Sequence, residues 1–188
     1  MPPPPTLLKG SCLCSKTSFT STSFPLRLTH CHCIPCRKLS GGPFTTWADF
    51  PSSAITWTSS PATANAATST TPSTNEPPSN TPTSNNSAPT LRRSSPIATR
   101  GFCKSCGSTV SMQYDVEPDV LGLAAGLIDG DCGQGGDVAE VLKGLPQKHI
   151  FLKEKAEWFW VERGVDEWEG FSEDWERKVR MKKGGGGV

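Results

Sequence analysis

The sequence lacks the features that would assign it at once to several classes of protein. No run of 18 or more apolar residues is present, which excludes a membrane-spanning helix, and prolines follow Met1 where a secretion signal carries basic and then apolar residues. A formal charge of +1 over 188 residues excludes a histone-like polycation and makes nucleic acid a distant third choice of partner. We therefore expect a soluble cytoplasmic protein with no membrane partner.

Hydrophobic residues are also scarce, at 35% of the chain, and the deficit is concentrated in one segment. Residues 59–90 are almost entirely Ser, Thr, Pro, Asn and Ala, with Glu76 as the one charged residue. Such a segment buries too little apolar surface to offset the entropy of ordering its backbone. The sequence predicts a disordered insertion at 59–90 that interrupts a single domain of about residues 8–180.

The rest of the chain predicts a mainly β fold with one short C-terminal helix. Residues that alternate or are rich in β-branched and aromatic side chains indicate strands at 17–24, 43–50, 108–114 and 120–128, and a hairpin from 149–152 and 157–161. The helix is expected after Ser172, which can cap it, because acidic residues follow at once and basic residues gather toward its end.

Eight cysteines are the feature that calls for an explanation in a reducing compartment, where clustered cysteines favour metal or redox chemistry over structural disulfides. Seven of them form three short clusters: Cys12 and Cys14; Cys31, Cys33 and Cys36; and Cys103 and Cys106. Cys132 stands alone in a glycine-rich stretch, and we interpret it as incidental.

The spacing of the clusters predicts two zinc sites of different character. Two pairs of cysteines make a closed four-thiolate site, which is typical of structural zinc, and the Cys103–Cys106 step has the spacing of a zinc knuckle. If the first cluster pairs with the last, the middle cluster is left with three sulfurs and an open fourth position, where chemistry can take place. His32 is a weak candidate for that position, because on an extended chain it points away from Cys31 and Cys33.

Two other interpretations of the cysteines stay open at this stage. Iron can occupy a four-cysteine site. A thiol–disulfide redox site from Cys31 to Cys36 is less favoured, because no βαβ pattern surrounds it.

Basic residues accompany the cysteines. Residues 1–114 carry nine Lys or Arg against Asp49 and Glu76, and this excess would attract an anion. Arg37 and Lys38 follow Cys36 directly, so they can offset the charge of a three-thiolate zinc site and hold a substrate carboxylate beside it. A role limited to stabilising the metal cluster is an equally good interpretation of both residues.

The ordered motifs 10–14 (GSCLC), 31–38 (CHCIPCRK) and 100–108 (RGFCKSCGS) resemble the glutathione-dependent formaldehyde-activating enzyme family, which includes centromere protein V. The resemblance implies a tent-like all-β fold with two zinc ions, a structural one on Cys12, Cys14, Cys103 and Cys106 and a catalytic one on Cys31, Cys33 and Cys36. It implies a carbon–sulfur lyase that joins formaldehyde to glutathione as S-(hydroxymethyl)glutathione, or reverses that step. Ser15 departs from the family's usual glycine, which points to a strained or differently built first turn.

An alternative of another class is a non-catalytic, zinc-stabilised protein-interaction module in which both ions are structural. Such a module would recruit a partner through exposed aromatic residues such as Trp158 and Trp160. On a strand these two would share one face, for which we expect core packing. The two functions differ in the coordination of the middle cluster, since a fourth protein ligand would favour the module.

Overall fold

The computed structural model describes residues 4–58, 88–130, 138–161 and 164–184, with side chains up to residue 181. The described strands are β1 (Leu8–Ser11), β2 (Ser18–Ser21), β3 (Arg27–Cys31), β4 (Thr45–Pro51), β5 (Ile55–Thr58), β6 (Thr90–Ser95), β7 (Ala98–Phe102), β8 (Thr109–Tyr114), β9 (Val120–Ala124), β10 (Gln147–Ile150) and β11 (Asp166–Glu167). The described α-helices are α1 (Ile34–Ser40), α2 (Val138–Lys143) and α3 (Glu173–Gly184), and single 3₁₀ turns lie at Ser52–Ala54, Ala125–Leu127 and Leu152–Glu154.

The strands form two sheets. The smaller has the order β1-β2-β5, and the larger has the order β11-β10-β3-β4-β9-β8-β7-β6. Neighbouring strands are antiparallel except β10, which runs parallel to both β3 and β11. An isolated bridge joins Gly10 of β1 to Ile128, in the segment that follows β9 of the larger sheet. The prediction of a mainly β fold is confirmed.

Strand β4 lies near the middle of the large sheet and faces a different packing environment on each side. Successive side chains of a strand point to opposite faces. Ala48 and Phe50 therefore join the main apolar core with Leu8 and Phe19 of the small sheet. Trp47, on the other face, packs with the cysteines of the middle cluster and is fully buried. The same alternation along the chain thus builds a hydrophobic core on one face and a cysteine site on the other.

A network of charges on that second face joins the large sheet to α3. The guanidinium Nε of Arg27 donates to the Asp49 carboxylate at 2.7 Å, and the Thr29 hydroxyl donates to the same oxygen at 3.1 Å. Arg27 also lies 3.5 Å from the Glu117 carboxylate, which pairs with Lys178 of α3. Buried charge is tolerated here because each ion has a partner.

The structure confirms most predicted elements and corrects others. The strands at 17–24, 43–50 and 108–114 are present with shifted ends, and the one at 120–128 stops at Ala124, where a 3₁₀ turn begins. The predicted hairpin is wrong: residues 157–161 are not a strand, and β10 pairs with β3 instead. Helix α3 starts after Ser172 as predicted, and Ser172 accepts the amides of Trp175 and Glu176 through its carbonyl oxygen.

Helices α1 and α2 were not predicted. Both are short, and the prolines and cysteines around α1 conceal its helical pattern, so neither presents the repeated apolar spacing that identifies a long amphipathic helix. None of the helices in the described ranges has the length and apolar character needed to cross a membrane.

Two predicted features fall largely outside the described residues. Of the predicted insertion 59–90, only residues 88–90 are described, and Thr90 already belongs to β6, so the predicted boundary extends slightly too far. Cys132 also lies outside the described residues.

Candidate metal centres and adjoining clefts

Two turns of similar construction bring the first and last cysteine clusters together. In the turn after β1, the Cys12 amide donates to the Thr17 carbonyl at 2.9 Å; in the turn between β7 and β8, the Cys103 amide donates to the Ser108 carbonyl at 2.9 Å. Each hydrogen bond closes a loop of the same length, so both turns direct their sulfurs toward one point. The Ser108 hydroxyl links the two turns, because it accepts the amide of Leu13 at 3.4 Å.

The sulfurs of Cys12, Cys14, Cys103 and Cys106 lie within 4.8 Å of one another. The Sγ atoms of Cys12 and Cys14 are 3.6 Å apart, and those of Cys14 and Cys103 are 3.7 Å apart. A tetrahedron with metal–sulfur bonds of about 2.3 Å has sulfur–sulfur edges of about 3.8 Å. The geometry therefore fits one tetrahedral metal ion, and the four residues could hold it.

The backbone of both turns is left-handed at one residue after the second cysteine. Gly107 has φ +75°, and Ser15, at the corresponding place in the first turn, has φ +58°. A side chain in this region of φ is disfavoured, so Ser15 stores strain that Gly107 avoids. The expectation of a strained first turn, drawn from the departure at Ser15, is thus met by its backbone conformation.

The second turn also stabilises a thiolate. The hydroxyl of Ser108 lies 3.2 Å from the sulfur of Cys106. This hydrogen bond and one from the Ser108 backbone lower the pKa of Cys106 to about 5. A lowered pKa favours the charged form that binds a metal.

The middle cluster is assembled by a strand, a cap and a helix in succession. Cys31 ends β3, and Cys33, two residues later on extended backbone, points to the same side. Cys33 is also the N-cap of α1, and Pro35 in the first turn favours helix initiation. Cys36 lies one helical turn beyond Cys33, so its sulfur returns to the same place.

The three sulfurs of the middle cluster lie within 4.8 Å of one another, with Cys31 and Cys33 Sγ atoms 3.4 Å apart. All three residues are buried, and the seven cysteines in the described ranges are all free thiols. Among the described residues, no fourth protein ligand joins this set. The cluster could hold a metal ion and leave one coordination position for another molecule.

The Cys36 sulfur lies beside a buried positive charge. Hydrogen bonds from Cys31 and Cys33 lower the pKa of the Cys36 thiol, and the positive charge of Arg100 adds to the effect. The guanidinium Nη2 of Arg100 lies 3.7 Å from the Cys36 sulfur, and the Arg100 side chain is only 8% exposed. Arg100 is therefore a buried counter-charge for this cluster, a residue that the spacing of the cysteines alone does not identify.

The three histidines of the chain form a separate group beside the cluster. His32 Nε2 is 2.8 Å from His149 Nδ1, and His30 stacks on His149 at 4.6 Å between ring centroids. His30 also makes hydrogen bonds with Thr46 and Gln147. Burial is the main cause that lowers the pKa of His32 and of His149 to about 4. His32 and His149 are thus neutral hydrogen-bonding partners of each other, and none of the three rings joins the sulfur sets.

Cys33 lines a cleft of about 430 Å³ whose walls are mostly apolar. We name it the aromatic cleft; its walls include Ile97, Tyr114, Phe151 and Phe171, with Glu154 and Arg100 at its polar edge. Phe151 has φ +61°, an unusual conformation for a bulky residue, and its ring packs edge-to-face on Phe171 at 4.5 Å. Backbone strain of this kind concentrates at ligand sites, where packing maintains it.

The two basic residues predicted to hold a substrate carboxylate have different surroundings. Arg37 is half-buried, and its Nη1 donates to the backbone carbonyl of Glu154 at 2.7 Å. The Glu154 carboxylate in turn accepts the amide of Ile34 at 2.8 Å, so Arg37 and Glu154 together fasten α1 to the 152–154 turn. Lys38 is exposed and lines a second cleft.

Trp158 and Trp160 do not pack in the core. They are 68% and 87% exposed, and the segment that carries them is not a strand. The expectation that a shared strand face would bury them is therefore wrong, because the chain here forms a turn and passes over the surface.

Comparison with family models supports the resemblance. A family model described as "Glutathione-dependent formaldehyde-activating enzyme" matches residues 7–77, a range that includes the first two cysteine clusters. The crystal structure of a Rhodobacter sphaeroides protein is similar at 16% identity and a TM-score of 0.46, covering 74% of this chain and 98% of that one. No curated protein matches the sequence. The predicted resemblance to this family is confirmed over residues 7–77.

Proposed function

We propose, from the match to the glutathione-dependent formaldehyde-activating enzymes, that this chain is a zinc-dependent carbon–sulfur lyase of the S-(hydroxymethyl)glutathione synthase type. It would join formaldehyde or a related aldehyde to a glutathione-type thiol, in the cytoplasm, where thiols stay reduced. The observation that carries the proposal is the middle cluster, in which three sulfurs converge without a fourth described protein ligand and one of them borders a cleft.

The donor atoms of both clusters suit zinc. Thiolates are soft ligands that select zinc, copper(I) or iron–sulfur clusters, and the tetrahedral spacing of the four-cysteine set matches a closed zinc site. We assign Cys12, Cys14, Cys103 and Cys106 to a structural ion. We assign Cys31, Cys33 and Cys36 to a catalytic ion, which when bound supplies a Lewis-acid position that stabilises the substrate's thiolate form.

The reaction forms no covalent bond between the substrates and protein side chains. The sulfur lone pair of the thiol forms a bond to the carbonyl carbon, the carbon–oxygen double bond becomes single, and the thiol proton ends on the new hydroxyl. No electron donor or acceptor is needed. The aromatic cleft brings the two small reactants together beside Cys33 and limits competing water, so most of its contribution is proximity.

A second function is supported by a different observation. Trp158 and Trp160 are large, exposed aromatic residues, and such residues are enriched where proteins bind one another. In this alternative both metal ions are structural and the chain is a protein-interaction module. The open side of the middle cluster makes the enzyme the better supported of the two.

Zinc content and activity of a Cys33→Ser variant test the proposal. We expect two zinc ions per wild-type chain and one per variant chain, with circular dichroism unchanged because the four-cysteine site and the main core stay intact. Consumption of formaldehyde in the presence of glutathione should fall to the uncatalysed rate. Cys132→Ser is the matched control, since Cys132 is the one cysteine outside the three clusters, and it should keep both ions and full activity.

Two outcomes would count against the enzyme. A wild-type protein with one zinc ion would mean that the middle cluster is not a metal site. A Cys33→Ser variant with wild-type activity would mean that this cluster does not take part in the reaction.

A further inference from the structure

A second cleft, of about 710 Å³, adjoins the aromatic cleft on the other side of Pro35 and Arg100, which line both. We name it the cationic cleft, because Lys38, Arg92 and Arg100 lie along it together with the polar residues Ser94 and Thr109. No acidic residue is among the described residues that line it. Both volumes are in the range of small-molecule sites.

The arrangement of the cations in this cleft destabilises the folded state. Arg92 of β6 and Arg100 of β7 occupy directly opposite positions in the strand pair, so their side chains emerge on the same face. Like charges placed opposite each other across two strands are destabilising. Arg100 donates hydrogen bonds to the Ser94 hydroxyl and the Cys36 sulfur, but its buried Nε has no hydrogen-bond partner among the described residues.

The other charged residue of β6 is paired, in contrast to the cations of the cleft. Arg93, next to Arg92 but on the opposite face of β6, forms an ion pair with Asp115. Neither Lys38 nor Arg92 has an ion-pair partner in the described part of the chain. Unpaired cations of this kind, gathered in a concave surface, raise the local concentration of anions.

The two clefts differ in charge in a way that would orient a substrate. The aromatic cleft carries the sulfur of Cys33 and the Glu154 carboxylate, which offsets the charge of the shared Arg100, so this cleft has no excess of positive charge. The cationic cleft carries the three basic side chains. A molecule with a thiol at one place and carboxylates at another would therefore lie with its thiol toward Cys33 and its carboxylates toward Arg92.

We propose that the cationic cleft is the binding site for the carboxylate end of the thiol substrate, with Lys38, Arg92 and Arg100 as its recognition residues. The inference rests on the proposed function for the identity of the thiol end, but the anion site itself does not depend on catalysis. It selects thiols that carry carboxylates, such as glutathione, over small neutral or cationic thiols. The unfavourable Arg92–Arg100 pair is retained because a bound carboxylate neutralises it.

Calorimetric binding of S-methylglutathione tests this assignment, since the blocked sulfur keeps the carboxylates and removes the contribution of the metal site. We expect the wild-type protein to bind it, and Arg92→Gln or Lys38→Gln to weaken binding about tenfold, in line with the loss of one charge-assisted hydrogen bond. Arg177→Gln, the same change on α3 at a residue that lines neither cleft, should leave binding unchanged. The diethyl ester of the probe, without carboxylates, should bind at least tenfold more weakly than the acid.

The melting temperature distinguishes a binding role of Arg92 from a structural one. Loss of a structural arginine lowers the melting temperature, whereas loss of an unpaired binding arginine raises it. Without ligand, Arg92→Gln should raise the melting temperature by about 1–3 °C, because it removes the repulsion from Arg100. A lower melting temperature together with unchanged probe binding would overturn the proposal, as would a wild-type protein that does not bind the probe at millimolar concentration.

These outcomes are separate from those of the Cys33→Ser experiment. If Arg92→Gln weakens probe binding but Cys33→Ser keeps full activity, the anion site is supported and the proposed catalytic role of the middle cluster is refuted. If Cys33→Ser abolishes activity but Arg92→Gln and Lys38→Gln bind the probe like the wild-type protein, the enzyme is supported and the anion site is refuted.

Discussion

Replacement of Ser15 by glycine should stabilise this protein, although it adds no contact. Ser15 has φ +58°, and it ends the turn that places Cys12 and Cys14. A side chain in the left-handed region brings Cβ close to the following carbonyl oxygen, which glycine avoids. The corresponding residue of the second turn, Gly107, already has this freedom at φ +75°.

Two opposing effects set the expected gain in the free energy of unfolding. Release of the left-handed strain is worth about 1–2 kcal/mol. The greater conformational freedom of glycine in the unfolded chain lowers the free energy of unfolding by about 0.4–1 kcal/mol. The net gain is then about 0.8 kcal/mol, or about 2–3 °C in melting temperature for a domain of this size. Gly107→Ala should lose a similar amount, since a Cβ there meets no other atom within 4 Å and the cost is purely conformational.

Urea denaturation of the zinc-loaded proteins measures the effect as a shift of midpoint at constant slope. Ser105→Gly is the matched control, because Ser105 lies in the second turn and does not have a positive φ. It should lose about 0.5–1 kcal/mol, as glycine does at ordinary positions. If Ser15→Gly lost stability as Ser105→Gly does, the strain attributed to the first turn would be refuted.

Three further substitutions test other parts of the fold. Gly10→Ala should cost about 3 kcal/mol in urea denaturation, because its Cβ would clash with the backbone oxygen of Leu127 and with the buried ring of Phe19. Asp49→Asn should cost about 2 kcal/mol by the same assay, because it leaves the Arg27 guanidinium without its nearest counter-charge. His149→Gln should flatten the loss of stability between pH 6.5 and 4. Folding lowers the pKa of His149 to about 4, so the unfolded chain binds the proton first and acid favours unfolding.

Matched substitutions elsewhere in the chain are the controls for Gly10→Ala and Asp49→Asn, and the pH dependence of stability provides the result that would refute the role of His149. Gly126→Ala, where a new Cβ meets nothing within 4 Å, should change stability by less than about 0.5 kcal/mol. Asp115→Asn, which breaks an exposed ion pair, should cost less than about 1 kcal/mol. For His149 the part of the slope that the substitution removes should stay below about 1.4 kcal/mol per pH unit, the value for one full proton, since His32 also has a lowered pKa and contributes to the wild-type slope. An equal slope in His149→Gln would assign the acid sensitivity to other groups.

The sequence determined the cysteine clusters because their ligands are close along the chain. Spacings of two or three residues restrict the geometry locally, so the grouping of Cys31, Cys33 and Cys36 was predictable without a fold. The mainly β character also followed from local patterning, and so did α3, since its cap and charges lie within one segment.

Only the tertiary structure decided what surrounds those sulfurs. Arg100 approaches Cys36 across 64 residues of sequence, and it faces Arg92 through a strand register that composition does not reveal. The parallel pairing of β10 with β3, which brings His149 beside His32, likewise depends on contacts distant in sequence. Ligand spacing is set by the covalent chain, whereas clefts and counter-charges depend on how strands pack, and packing is a property of the whole fold.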